Sequence, residues 1–192
     1  MSFLISFVSI FLAEIAEKTI LITLSLAGQV KRKNLIIGIL LFSILIMIIP
    51  IAIGAYLDRI FPLGTLSLAS GIIFIIIGVF QLISGKEEEE EKEIKFKVNE
   101  VIKVFLILSL AELGDKTQIA TFSLSVALPN AFLIWLGATL GIFLPNLIVA
   151  IVGSEFLKKI NQNIVKVITS SLFLLVGIYL ILTYFGWIPK IF

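Results

Sequence analysis

The 192-residue chain has no cysteine and no histidine, only two methionines, and charges on just 15% of its residues. Without cysteine no disulfide forms, and redox chemistry gives no reading of the compartment. Without thiol or imidazole, any metal site would have to be built from carboxylate, hydroxyl, amide or backbone oxygen. Those donors suit hard cations such as Ca²⁺, Mn²⁺, Mg²⁺ or Na⁺ and make zinc and copper poor fits. Soluble domains carry about a quarter charged residues, and here much of the small total sits in one run, KEEEEEKEIKFK. The net charge of +2 is too small to imply a nucleic-acid partner. The amino-terminal stretch MSFLISFVSIFLAEIAEKT has neither the basic start nor the small-residue cleavage site of a secretory signal, so it reads as a retained first membrane span.

What the chain does have is hydrophobic length. Hydrophobic residues make up 59% of it, in six stretches at about 3–27, 35–57, 63–84, 100–126, 131–153 and 164–185, each near the ~20 residues a bilayer requires. The breaks between them are GQVKRKN, DRIFPLG, the Glu/Lys run, ALPN and EFLKKINQN, and Pro62 and Pro129 stand at span entrances, where a missing amide does no harm. The segments are too long for strands and show no period-two alternation. The expected class is an all-α integral membrane protein with six transmembrane helices in one bundle. Eleven Lys and Arg residues fall in alternate loops, including Lys31, Arg32, Lys33, Lys103 and Lys158, against only Arg59 and Lys190 on the other side. The positive-inside rule then predicts a multi-pass protein of the cell membrane with both termini outside and the central linker cytoplasmic.

An internal repeat organises these spans. AEIAEKTILITLSL (13–26) aligns without a gap on AELGDKTQIATFSL (111–124), an offset of 98. Glu14/Glu112, Lys18/Lys116, Thr19/Thr117, Thr23/Thr121 and Ser25/Ser123 are identical, and Glu17 matches Asp115 in charge. After one inserted residue the register continues through Gly38/Gly137, Gly54/Gly153, Ser70/Thr169 and Gly78/Gly177. The organisation predicted is a three-helix repeat over 1–84, a charged linker over 85–99 and a second three-helix repeat over 100–192. Because three is odd, the second copy enters the membrane upside down. Two inverted repeats are common in secondary transporters, with the site at their interface near the mid-membrane.

The repeated segment carries the intramembrane charge. In an unbroken helix Glu112, Asp115 and Lys116 share a face with Ser123, and Glu14, Glu17, Lys18 and Ser25 repeat the pattern. Thr117 and Thr121 then point elsewhere, unless the helix unwinds at Gly114. Each charge costs about 2.5–3.5 kcal/mol at the bilayer centre on insertion scales, so the groups must pair or line a wet cavity. Each motif is net −1, and two facing motifs suit one divalent cation, whose release two protons could balance. A passive cation channel is one alternative. Another is a membrane scaffold in which Lys18 and Lys116 only clamp the halves together, although buried ion pairs are seldom net stabilisers.

The motif Glu-x-Gly-Asp-Lys-Thr, once per half, resembles the signature of the cation/proton exchanger family that includes transmembrane protein 165, a Golgi calcium/manganese transporter. ELGDKT at 112–117 is a full match, while EIAEKT at 14–19 has Ala16 for Gly and Glu17 for Asp. The resemblance covers nearly the whole chain. It implies that a divalent ion, Mn²⁺ or Ca²⁺, is exchanged for protons across the lipid bilayer by alternating access. Prokaryotic members resemble manganese exporters, which points to manganese. It further implies that Glu14, Glu17, Glu112 and Asp115 bind the ion and take up protons. Thr19, Thr117 and Gln118 would add neutral oxygens, and Lys18 and Lys116 would serve as counter-charges when the ion is absent. The implied protein is not an enzyme and holds no permanent cofactor; a homo-oligomer is compatible with all of this.

Other features have simpler readings. The KEEEEEKE run reads as a solvated tether, because like charges repel. Asn146, after Pro145, reads as a helix–helix hydrogen bond in preference to a site ligand, because its repeat partner is apolar, near Met47. Gly38, Gly54, Gly71, Gly78, Gly137, Gly141, Gly153 and Gly177 read as points of close helix approach. Trp135, Trp187, Tyr179 and Tyr184 read mostly as interfacial anchors.

Overall fold

In hydrocarbon every backbone amide must bond within its own segment or a closed sheet, so apolar runs of this length become helices. The computed structural model describes residues 1–15, 17–57, 60–61, 63–83, 98–153 and 162–189. Among them there is no strand, and the chain folds as α1 (Ser2–Ile15), α2 (Lys18–Ala27), α3 (Arg32–Ile46), α4 (Ile48–Leu57), α5 (Leu63–Ile83), α6 (Glu100–Glu112), α7 (Lys116–Ala127), α8 (Ala131–Val152) and α9 (Gln162–Tyr184). Four helical stretches among the described residues are long and apolar enough to cross a membrane: Arg32–Leu57, which joins α3 and α4, then Thr65–Ile83, Ala131–Val152 and Lys166–Tyr184. The stretches at 3–27 and 100–126 are instead pairs of short helices, α1 with α2 and α6 with α7, each divided at the charged motif. The Glu/Lys tether at 86–93 and most of EFLKKINQN lie outside the described residues.

Local chemistry sets the ends. Asn99 precedes α6 and accepts from the Val101 amide at 2.9 Å, while Asn130 precedes α8 and accepts from Leu133 at 3.2 Å. Both are side-chain caps for amides that lack a helical partner. Pro50 has no amide to return to Ile46, and the chain turns between α3 and α4 at Met47.

Small residues set the packing. Between helices in lipid there is little hydrophobic drive, so close van der Waals approach matters most. A Cβ on Gly38 would lie 2.6 Å from the Val104 side chain and 3.0 Å from the Val101 carbonyl. A Cβ on Gly137 would lie 2.4 Å from Ser6 Oγ and 2.5 Å from the Phe3 carbonyl. In α5 and α9, Gly78 approaches the Ser170 carbonyl and Gly177 the Gly71 carbonyl, while the rings of Phe74 and Phe173 meet at 5.6 Å. Each pair of contacts joins residues that the sequence repeat relates. Gly153 departs from the reading as a packing glycine. Among the described residues a Cβ there meets nothing within 4 Å, and its φ of +70° ends α8 in a conformation that L side chains rarely adopt.

Polar contacts gather the loops at two ends. At one, Ser2 Oγ donates to the Pro129 carbonyl at 2.7 Å. At the other, Glu100 accepts from Asn34 Nδ2 at 2.7 Å and from the Lys31 amide at 3.2 Å, Lys103 Nζ donates to Gln29, and Arg32 donates to the Ile151 carbonyl. The basic residues Lys31, Arg32 and Lys103 therefore share one end. Trp135 lies partly buried and donates its indole N–H to the Ile44 carbonyl at 3.1 Å, so a helix–helix bond occupies its polar edge.

Candidate functional site

The charged motifs are where the helices stop. Glu14 stands one residue before the end of α1 and Glu112 is the last residue of α6, and both are fully buried. The chain then turns in the same way in both copies: the Glu17 amide bonds the Glu14 carbonyl at 3.0 Å, and the Asp115 amide bonds the Glu112 carbonyl at 3.1 Å. Glu17 and Asp115 are extended (φ −94° and −77°) and occupy the N-cap positions of α2 and α7, yet neither side chain caps its helix. Gly114 takes φ +79°, which glycine permits at little cost. The unbroken-helix arrangement of Glu112, Asp115 and Lys116 on one face is thus replaced by a broken one, as is that of Glu14, Glu17 and Lys18. The break carries the carboxylates out of helical register and puts Thr117 and Thr121 in the interior, both with no exposure.

In the first copy one oxygen of Glu14 is held in a hydrogen-bonded network, while its Oε2 is buried with no hydrogen-bond partner among the described residues. Glu14 Oε1 accepts from the Thr19 hydroxyl and, at 2.6 Å, from Asn146 Nδ2, which also donates to the Ile142 carbonyl. Asn146 Oδ1 accepts from Thr23 at 2.6 Å, which fixes the amide with its donors towards the carboxylate. Asn146 is therefore a helix–helix bond and, in the same contact, a direct partner of a motif carboxylate. The sequence favours the first of these over the second, and the structure holds both. The available signal was Pro145–Asn146 within an otherwise apolar span.

The second copy is open. Among the described residues neither oxygen of Glu112 and neither the hydroxyl of Thr117 nor that of Ser123 has a hydrogen-bond partner, although all are buried. Thr121 donates to the Thr117 carbonyl at 2.8 Å and lies 3.4 Å from Met47 Sδ. Gln118 is turned back on the break, its Oε1 accepting from the Gly114 amide at 3.2 Å. Lys116 Nζ reaches across the repeat and lies 2.6 Å from Glu17 Oε1, with the Lys side chain 26% exposed and that of Glu17 4%. Lys18 and Asp115 are half-buried. Among the described residues no three acidic side chains converge closely enough to hold a metal ion together. One or two carboxylates, with neutral oxygens, are what a single point in this interior offers.

Buried carboxylates and ammonium groups where apolar helices break, in a membrane-length bundle, define an ion-transporting membrane protein. The chain belongs to the divalent cation/proton antiporter GDT1 family, whose model matches residues 2–89 and 100–187. The two matched segments begin 98 residues apart, the offset of the motifs. A Vibrio cholerae protein named "Putative manganese exporter" is 32% identical over 91% of this chain and 87% of its own length. A GDT1-like protein of Synechocystis is 26% identical over 86% of this chain and 89% of its own, and GDT1-like protein 4 of rice is 25% identical over 90% and 70%. No solved structure matches the chain.

Proposed function

We propose that the chain is a secondary transporter that exchanges Mn²⁺ for protons by alternating access, exporting manganese across the cell membrane. The observation that carries this reading is the matched break of α1–α2 and α6–α7, each leaving a buried glutamate at a helix end with a lysine from one repeat on an acid of the other. The six spans are read as two inverted three-helix repeats, supported by the reciprocal contacts of Gly38 and Gly137 and of Gly78 and Gly177. The name of the Vibrio relative supports manganese over calcium.

In this reading Glu14 and Glu112 are the ion's carboxylate ligands, each at the end of a half-helix whose carbonyls also face a cation favourably. Glu17 and Asp115 complete the charge of the two motifs, and Thr19, Thr117 and Gln118 supply neutral oxygens as the helices move. Lys116 on Glu17 acts as a substitute cation, held by the acid when the metal has left and displaced when it arrives; Lys18 has the corresponding role in the other repeat. With a total motif charge of −2, one divalent ion or two protons leaves the interior neutral, and that equivalence couples the two flows.

Proteoliposomes with an imposed pH gradient test the proposal. Mn²⁺ should move against its own gradient when protons run down theirs, and Glu112→Gln should abolish this while the variant still inserts and elutes as a folded particle. Mn²⁺ flux indifferent to the pH gradient would make the protein a channel. No flux of Mn²⁺, Ca²⁺, Mg²⁺ or Na⁺ by the parent chain would leave the charges a structural role.

A further inference from the structure

The two half-sites are built alike and furnished differently. Asn146 and Met47 occupy equivalent places in the sequence repeat, each facing the threonine of its counterpart motif: Thr23 donates to Asn146 Oδ1, and Thr121 lies 3.4 Å from Met47 Sδ. Asn146 also touches the carboxylate of Glu14. We propose that Met47 is a specificity-determining residue, its thioether facing Glu112 as a soft donor that favours Mn²⁺ over Ca²⁺ and Mg²⁺. This rests on the divalent-cation reading above and adds to it a reason for the choice of ion.

Depth supports the assignment. Lys31 and Asn34 bond Glu100, so α3 and α6 start at one level. At 1.5 Å per residue Met47 lies about 22 Å along from Arg32 and Glu112 about 18 Å along from Glu100. The same construction from the Ser2–Pro129 contact puts Glu14 about 18 Å and Asn146 about 22 Å along α1 and α8, and those two side chains touch. Helices α3 and α6 pack directly, with Gly38 against Val104.

The chemistry of the neighbourhood is equally direct. Met47 is fully buried. Among the described residues Thr121 lies 3.4 Å from the sulfur, and it has one hydroxyl proton and a stronger acceptor in the Thr117 carbonyl at 2.8 Å. The sulfur lone pairs are therefore nearly unengaged, at about the depth of Glu112, whose carboxylate, like the Thr117 hydroxyl, has no hydrogen-bond partner among the described residues. A site of oxygen alone does not separate Mn²⁺ from the alkaline earths by donor type, whereas a thioether is a soft donor that Ca²⁺ and Mg²⁺, which take oxygen ligands, use poorly. The missing Pro50 amide interrupts the helical hydrogen bonding between α3 and α4 at Met47.

The test is calorimetric binding of Mn²⁺, Cd²⁺ and Ca²⁺ to the detergent-solubilised full chain, alongside transport. Met47→Leu keeps the volume and removes the sulfur. It should lower the Mn²⁺-to-Ca²⁺ affinity ratio about tenfold, the lower end of what tuning a metal's surroundings yields, with Cd²⁺, the softest probe, losing most. Met47→Asn, which copies the other half-site, should shift preference further to Ca²⁺ and decides the matter should the leucine variant fail to fold. Ratios unchanged in the folded variant would overturn the assignment of Met47 while proton-coupled transport stands. A sulfur-dependent binding preference in a parent that transports nothing would sink the transporter reading and leave Met47 a ligand.

Discussion

Lys116 and Glu17 show what a buried charge does at the scale of one residue. Their 2.6 Å contact satisfies an acid with 4% side-chain exposure, at a position where an N-cap carboxylate would otherwise accept from its own helix. Removing one member of a buried pair leaves the other's desolvation uncompensated and typically costs 3–5 kcal/mol. With Lys116 a quarter exposed, Lys116→Met should cost about 3 kcal/mol, at the low end. Thermal unfolding in micelles would register the loss, and Glu17→Gln in the same chain should recover most of it. If the second substitution recovers nothing, the stability comes from the lysine stem rather than the pair. Asn146 belongs to the same scale. Its amide could be discounted in the sequence because symmetry was applied to residue type, and methionine is a poor match for asparagine. The two positions share a location and a threonine neighbour, not a chemistry.

At the scale of elements, apolar length was legible and continuity was not. The six hydrophobic stretches appear as helices within a few residues of their expected limits. The i, i+3, i+4 spacing of Glu112, Asp115 and Lys116 fits one face of an unbroken helix. What won instead is the pair of turns closed by the Glu17 and Asp115 amides, with Gly114 the one plain signal and Ala16 giving none. The close helix approaches were legible as glycines, since only a missing side chain admits a neighbour's backbone. Gly177→Ala would set a Cβ 2.8 Å from the Gly71 carbonyl. Overpacking of that kind costs about 1–3 kcal/mol, so the melting temperature in detergent should fall clearly. Gly28→Ala, whose Cβ meets only the Ser25 carbonyl at 3.7 Å, should stay within about 0.5 kcal/mol. Equal effects at the two positions would mean that helix propensity, not the α5–α9 approach, sets the cost.

For the whole molecule, the bonds between loops tie down which ends belong together. Ser2 with Pro129 marks one end, and Lys31, Asn34, Lys103 and Gln29 around Glu100 mark the other. In inverted three-span repeats the loop after α2 and the loop after α7 must lie on opposite faces, which is how these contacts divide them. By the positive-inside rule, the excess of Lys and Arg at the Glu100 end predicts that this end faces the cytoplasm. Since the chain has no cysteine, single cysteines can be added to an unreactive background. Gln29 and Pro129 are both exposed. In intact bacterial cells a membrane-impermeant maleimide should label Pro129→Cys at once and Gln29→Cys only after permeabilisation. Labelling of both from outside would contradict the inversion itself. The reverse order would keep the inversion and turn the molecule over, and the Glu112 break, about 18 Å along α6 from Glu100, would then be approached through α6 from outside the cell.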